Sequence, residues 1–171
     1  MSIAELGALG EFIGAFGVVA SLAYLGLQVR QAKDANARDV AFELIRSFQT
    51  IEFTGVMQAM FNVPKGLTKA EFERRFEGRM GEVLAYFATW ESIGILVHRR
   101  QIDIDLVGDF FSHPILHSYE VAQGYLREFR NEVGRDTPWE WFQWLAEQLA
   151  ALEKNVTPVP AYVEFRAWTP N

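Results

Sequence analysis

LGALGEFIGAFGVVASLAYLGLQV, running from Leu6 to Val29, decides how this chain is to be read. Its twenty-four residues hold one side chain charged at neutral pH, Glu11, and no charge lies between Phe12 and Leu27. At about 1.5 Å per residue a helix of that length is roughly 36 Å long, against a hydrocarbon core of about 30 Å. Arg30, Lys33 and Arg38 follow at once and form a basic flank. A cleaved signal peptide requires a basic leader, and Met1 to Phe12 contains neither Lys nor Arg. A helix buried in a bundle is the remaining rival, but buried helices of this length are usually interrupted by polar residues. The expectation is therefore a single transmembrane anchor over residues 1–30. Its basic side should be cytoplasmic and its near-neutral N-terminus outside.

Small residues in the anchor share one stripe. Gly7, Gly10, Gly14, Gly17 and Ser21 are spaced three, four, three and four apart, which puts them on one helical face. Gly10 with Gly14, and Gly17 with Ser21, repeat the small-x-x-x-small spacing that lets membrane helices approach closely. The other faces carry Phe12, Ile13, Phe16, Val18, Val19, Leu22 and Leu25, which suit lipid. Glu11 is a possible polar membrane site. It lies about one turn into the run, where it also reaches the interface and the positive end of the helix.

Outward from the anchor, residues 31–155 read as one helical domain. Aromatic residues make up 14% and charged residues 22%, proportions of a packed globule and not of a disordered tail. The formal charge of −6 argues against nucleic acid as a partner. Val40, Leu44, Phe48, Ile51 and Gly55 form a stripe that predicts a helix from Asp34 to about Phe61, stopped at Asn62 to Gly66. Thr68 with Glu71 makes a capping box for a helix running as far as His98. Arg99, Arg100 and Gln101 form a turn, and Asp103 caps a short helix to Phe111. Pro114 then begins a further helix capped by Ser112 or His113. Thr137-Pro138-Trp139-Glu140 reads as a second capping box, opening a helix to about Lys154. Residues 156–171 form an extended tail, with Pro158, Pro160 and Pro170. The fold class is all-α: an N-terminal transmembrane helix, a bundle of four or five helices, and a Pro/aromatic tail.

The plan of a Gly-rich span ending in YLGLQVRQ and followed by a helical domain resembles a family of uncharacterised bacterial membrane-anchored proteins. The stretch YFATWESIGILVHRRQIDIDLVGDFF, Tyr86 to Phe111, is similar to that family in its helix end, basic turn and acidic-capped second helix. The resemblance implies the helical fold and a bacterial inner-membrane location, and brings no activity with it.

Chemistry-bearing patterns are sparse. His113, His117 and Glu120 lie four and three residues apart, a spacing that places two imidazoles and a carboxylate on one face as a weak metal-site candidate. No H-E-x-x-H, nucleophile elbow or phosphate loop is present, and the lack of cysteine excludes a thiol nucleophile. Glu91, Asp103, Asp105 and Asp109 read as caps and as partners for Arg99 and Arg100. No cofactor is expected. Trp139, Trp141, Phe142 and Trp144 crowd one helix. With Trp141, Leu145, Gln148 and Leu152 facing the core, Trp139 and Phe142 would face lipid headgroups or a partner. Tyr162, Phe165 and Trp168 add aromatic anchors in the tail. These features point to a non-enzymatic single-pass protein that associates with lipid and with other subunits or copies of itself. An accessory or structural subunit of a membrane assembly fits them best. A membrane-tethered enzyme or ligand- and metal-binding module is the alternative.

Overall fold

A computed structural model describes residues 14, 15, 17–31, 46, 48, 50–155 and 159–169. The chain divides into two units, Met1–Ile45 and Arg46–Asn171. In the first, residues 17–31 form helix α1. The anchor positions Gly7, Gly10, Glu11, Phe12, Ile13 and Phe16 lie outside the described residues.

The second unit is all-helical among its described residues, as its periodicity predicts. It contains α2 (Ile51–Met60), α3 (Lys69–Arg75), α4 (Met80–His98), α5 (Ile104–Val133), α6 (Glu140–Asn155) and the one-turn α7 (Ala161–Glu164). Apolar α4 lies at its centre, packing most extensively on α6 and also on α2, while α5 packs on α6, α3 and α2. The core is strongly aromatic. Trp90, Tyr86, Phe87, Phe72 and Phe142 are all fully buried or within 1% of it. Phe53 meets Trp90 edge-on at 5.4 Å, and Trp90 meets Tyr86 at 5.4 Å with their planes 87° apart. Such T-shaped pairs place a positive ring edge on a negative face, which adds directionality to simple burial.

Two glycines set the closest approaches. A Cβ on Gly94 would stand 2.3 Å from the Trp141 carbonyl oxygen, so α4 and α6 touch backbone to backbone there. A Cβ on Gly124 would stand 2.0 Å from the carbonyl oxygen of Leu67, in the turn leading into α3. Neither neighbour is a flexible side chain that can swing aside.

Local signals account for several boundaries. Thr68 and Glu71 form the expected capping box, with the Thr68 N–H donating to Glu71 Oε2 at 2.9 Å. Asp103 caps α5 by accepting the Asp105 N–H at 2.9 Å. Gly134, at φ 65°, closes α5 in the left-handed conformation that glycine adopts without strain.

Four expected boundaries move. Thr50 has extended geometry and caps α2 through its hydroxyl, so the helix expected from Asp34 to Phe61 is broken at that residue. The helix expected from Thr68 to His98 is two helices, because Gly78 at φ 75° turns the chain between α3 and α4. Pro114 does not start a helix but lies inside α5, which is continuous for 30 residues. Proline removes the bond to the Phe110 carbonyl, yet Val107 before it and Ile115, Ser118 and Ala122 after it all face the core. Burial on both sides holds the two segments in one helix. Finally, α6 begins at Glu140 instead of within the Thr137 box, with Trp139 at φ 53° just before it.

Candidate functional site

Three surfaces were expected to carry function: the small-residue face of the anchor, the aromatic faces of α6 and the tail, and the histidine cluster. On α1, Val18, Val19, Leu22, Tyr24, Leu25, Leu27 and Val29 are each 53–64% exposed. These residues are distributed all round the helix, so among the described residues each side of α1 carries exposed apolar side chains. A Cβ on Gly14, Gly17 or Gly26 would meet nothing within 4 Å. Ser21 donates its hydroxyl to the Gly17 carbonyl at 2.8 Å and so satisfies its polar group within the helix itself.

The histidine cluster does not assemble as a metal centre. His117 Nε2 lies 3.1 Å from the Met60 carbonyl oxygen, which can only accept, so that nitrogen carries the hydrogen. His113 stacks on Phe61 at 5.3 Å with planes 10° apart. Glu120 pairs with Lys65 at 2.6 Å. Among the described residues no three His, Asp or Glu groups converge as a metal site would require. His113 and His117 instead cover the C-terminal end of α2, with His117 adding a second bond to the Met60 carbonyl, which also accepts the Val63 N–H at 3.1 Å.

The aromatic assignment on α6 also shifts. Phe142 is fully buried, in contact with Phe87 at 5.5 Å and Tyr119 at 5.6 Å, and is therefore not a partner contact. The core face is Phe142, Leu145, Ala146 and Leu149, whereas Leu152, expected in the core, is 41% exposed. Trp139 is half-buried and packs on Phe129 at 4.9 Å, so it too belongs to the bundle. Trp141 lies against the His98 ring at 4.6 Å. The tail differs: Tyr162, Phe165 and Trp168 are all exposed and available.

Sequence reasoning missed how helix ends are finished by side chains of neighbouring helices. Glu91 of α4 accepts the Phe142 N–H at 2.7 Å, capping the start of α6, and the Trp141 N–H is close enough to influence the carboxyl as well. Burial pushes its carboxyl above the ordinary value, and the two N–H donors pull partly the other way. Glu128 of α5 accepts the Lys69 N–H at 3.0 Å at the start of α3. Arg130 donates to the Pro138 carbonyl at 2.9 Å, the Trp139 carbonyl at 3.2 Å and Gln143 Oε1 at 2.6 Å. That fork holds the turn in which Trp139 takes its unusual backbone angle. The partners are far apart in sequence, and only the unused Thr137 box hinted that α6 required another cap.

Deeper in the bundle, the Tyr86 hydroxyl and Ser118 Oγ share a buried hydrogen bond of 2.9 Å. Burial pushes the Tyr86 phenol up to about 12, so it stays neutral and acts as a structural polar pair. Trp90 Nε1 has no partner in hydrogen-bond geometry, although it is near enough to the Tyr86 hydroxyl to influence it slightly.

A groove of about 400 Å³ lies between the first half of α5 and the end of α6. Ile104, Gly108, Leu149 and Leu152 form its apolar floor, and Asp105, Asp109 and Glu153 its acidic rim. The Ser112 hydroxyl donates to Glu153, tying the two helices together across it.

A family model described as Domain of unknown function (DUF4760) matches residues 11–149. The chain belongs to that family. The DUF4760 match takes in most of the apolar run and the bundle as far as Leu149, and leaves the aromatic tail outside it. No curated protein and no solved structure matches the chain.

Proposed function

We propose that this DUF4760 protein is a single-pass bacterial membrane protein that acts by association. In this reading the apolar run containing α1 crosses the inner membrane, and the helical domain stays on the cytoplasmic side with the basic flank. The carrying observation is α1 itself, whose bulky apolar residues are 53–64% exposed in every direction. Water is a poor solvent for such a surface, and a hydrocarbon environment removes the cost. The uncovered glycines and the self-satisfied Ser21 suit a helix that meets a second helix in lipid.

Apolar α4 supports the same reading by contrast. It is the helix among the described residues that is long and apolar enough to cross a membrane, at 19 residues and a mean hydropathy of 1.2. However, Val83, Phe87, Trp90 and Ile93 on it are buried in the bundle, where α4 packs on α6 and α2, so 39% of the span is already covered. We extend the proposal to an accessory or structural role within a larger membrane assembly, which the exposed apolar residues of α1 and of the tail support.

The test is to fractionate cells that express the full-length chain, then extract the membranes with alkaline carbonate and with mild detergent. A chain that resists carbonate and elutes in detergent as several copies, or with companions, supports the proposal. A chain released by carbonate overturns the span, and a monomer in detergent overturns association.

A further inference from the structure

We propose that the groove between α5 and α6 receives the C-terminal tail of a second copy of this chain. The proposal rests on the association reading in that it requires copies to meet, but it does not depend on the bilayer. Both halves of the contact are independently unfilled. The groove presents an apolar floor including Leu152, which is 41% exposed, beneath a rim of three carboxylates. The tail presents Tyr162, Val163, Phe165 and Trp168 at 80%, 52%, 58% and 69% exposure among the described residues.

Charge complementarity selects the occupant. Tail residues 159–169 carry one anion, Glu164, before Phe165, and one cation, Arg166, which stands between Phe165 and Trp168 and is the group that can face the rim. An aromatic–Arg–aromatic segment fits a groove with an apolar floor and an acidic rim, since the rings cover the floor and the guanidinium meets Asp105, Asp109 or Glu153. The volume of about 400 Å³ falls within the roughly 300–1,000 Å³ of sites that enclose apolar groups. A second copy is favoured over the chain's own tail by position. Only residues 156–158 separate the end of α6 from Val159, and Pro160 holds the extended φ −57°, ψ 133° that leads into α7. Among the described residues the tail's aromatics are nonetheless exposed, and only α5 and α6 line the groove.

The chain contains no cysteine, so engineered pairs report without background. Two differently tagged full-length copies, one carrying Ser112→Cys and the other Thr169→Cys, are co-expressed and mildly oxidised in membranes. A mixed-tag disulfide is expected. Arg166→Glu in the Thr169→Cys copy should lower its yield about fivefold, as loss of a rim ion pair allows, and Asp109→Arg in the other copy should restore much of it. Absence of the mixed-tag product overturns the proposal, as does a yield indifferent to Arg166→Glu. A disulfide forming only when both cysteines sit on one chain also overturns it, by assigning the groove to the chain's own tail. Carbonate extraction of the same variants separates the two readings. Chains that cross-link but wash off the membrane keep tail docking and lose the span, whereas retained chains that do not cross-link do the reverse.

Discussion

Helices α4 and α1 are built from similar apolar residues with interspersed glycines, and their surroundings are opposite. In α4, Gly94 touches the backbone of Trp141, and the large side chains around it are buried. In and just before α1, a Cβ on Gly17 or Gly14 would meet no described neighbour within 4 Å, and every described bulky apolar residue of α1 is more than half exposed. Apolarity alone therefore does not tell whether a helix is covered by the rest of its domain. The atoms around it do, and glycine is the sharpest reporter because adding a side chain asks directly whether something is there.

The strongest way to break the comparison is to empty the covered side. Phe142→Ala removes a fully buried ring between α4, α5 and α6 and is expected to destabilise the domain by about 3–5 kcal/mol. Denaturant unfolding of the full-length chain in mild detergent reads this directly. A loss below about 1 kcal/mol would mean that α6 is loosely held and that α4 is not covered as described. Gly94→Ala is the next test. Alanine favours a helix by about 1 kcal/mol over glycine, but its Cβ would require α4 and α6 to separate. The steric term should dominate and leave a net loss of about 2 kcal/mol.

Sequence reading was strongest where the deciding interaction is local. The Thr68–Glu71 box and the Asp103 cap depend on residues two or three apart, and both were legible. Thr68→Ala should consequently cost about 1 kcal/mol, the usual worth of an N-cap hydroxyl. Legibility failed where a neighbour overrides local preference. Pro114 looked like a helix start, because nothing nearby reveals that both flanking segments pack on one core. The face of α6 was misread because four bulky aromatics at 139, 141, 142 and 144 leave the apolar direction ambiguous by one residue. The candidate site followed the same division. His113, His117 and Glu120 do share a region, but Phe61, the Met60 carbonyl and Lys65 take their contacts. The groove under Asp105 and Asp109 needed Glu153 from a distant helix to become visible.

Glu91 sharpens the comparison through pH. Its carboxyl is raised above the ordinary 4.5, chiefly by burial, so the folded state binds its proton more tightly than the unfolded chain. The resulting stabilisation is complete below that value and is lost as pH rises through the folded one. Glu71 runs the opposite way. Its bonds from Thr68 lower its carboxyl, so its contribution is present above the ordinary value and lost as pH falls. Replacement Glu91→Gln should therefore remove a fall in stability on raising pH from about 4.5 toward neutrality, relative to the natural chain. Parallel pH–stability curves for the two proteins would show that burial does not control this carboxylate.

The smallest expected effect is the most discriminating. Gly14→Leu and Gly17→Leu place bulk where, beyond the helix's own backbone, no described atom lies within 4 Å of a Cβ, so unfolding of the helical domain should change by less than about 0.5 kcal/mol. The same double replacement should reduce the mass of the detergent-extracted particle if a second helix approaches that face, because leucine prevents the backbones from closing. The two readouts separate the two helices of the comparison. A domain that melts unchanged while the particle becomes smaller places the work of these glycines between molecules, opposite to Gly94, which works within one. An unchanged particle would leave Gly14 and Gly17 facing lipid alone, and association would then rest on the bundle and its tail.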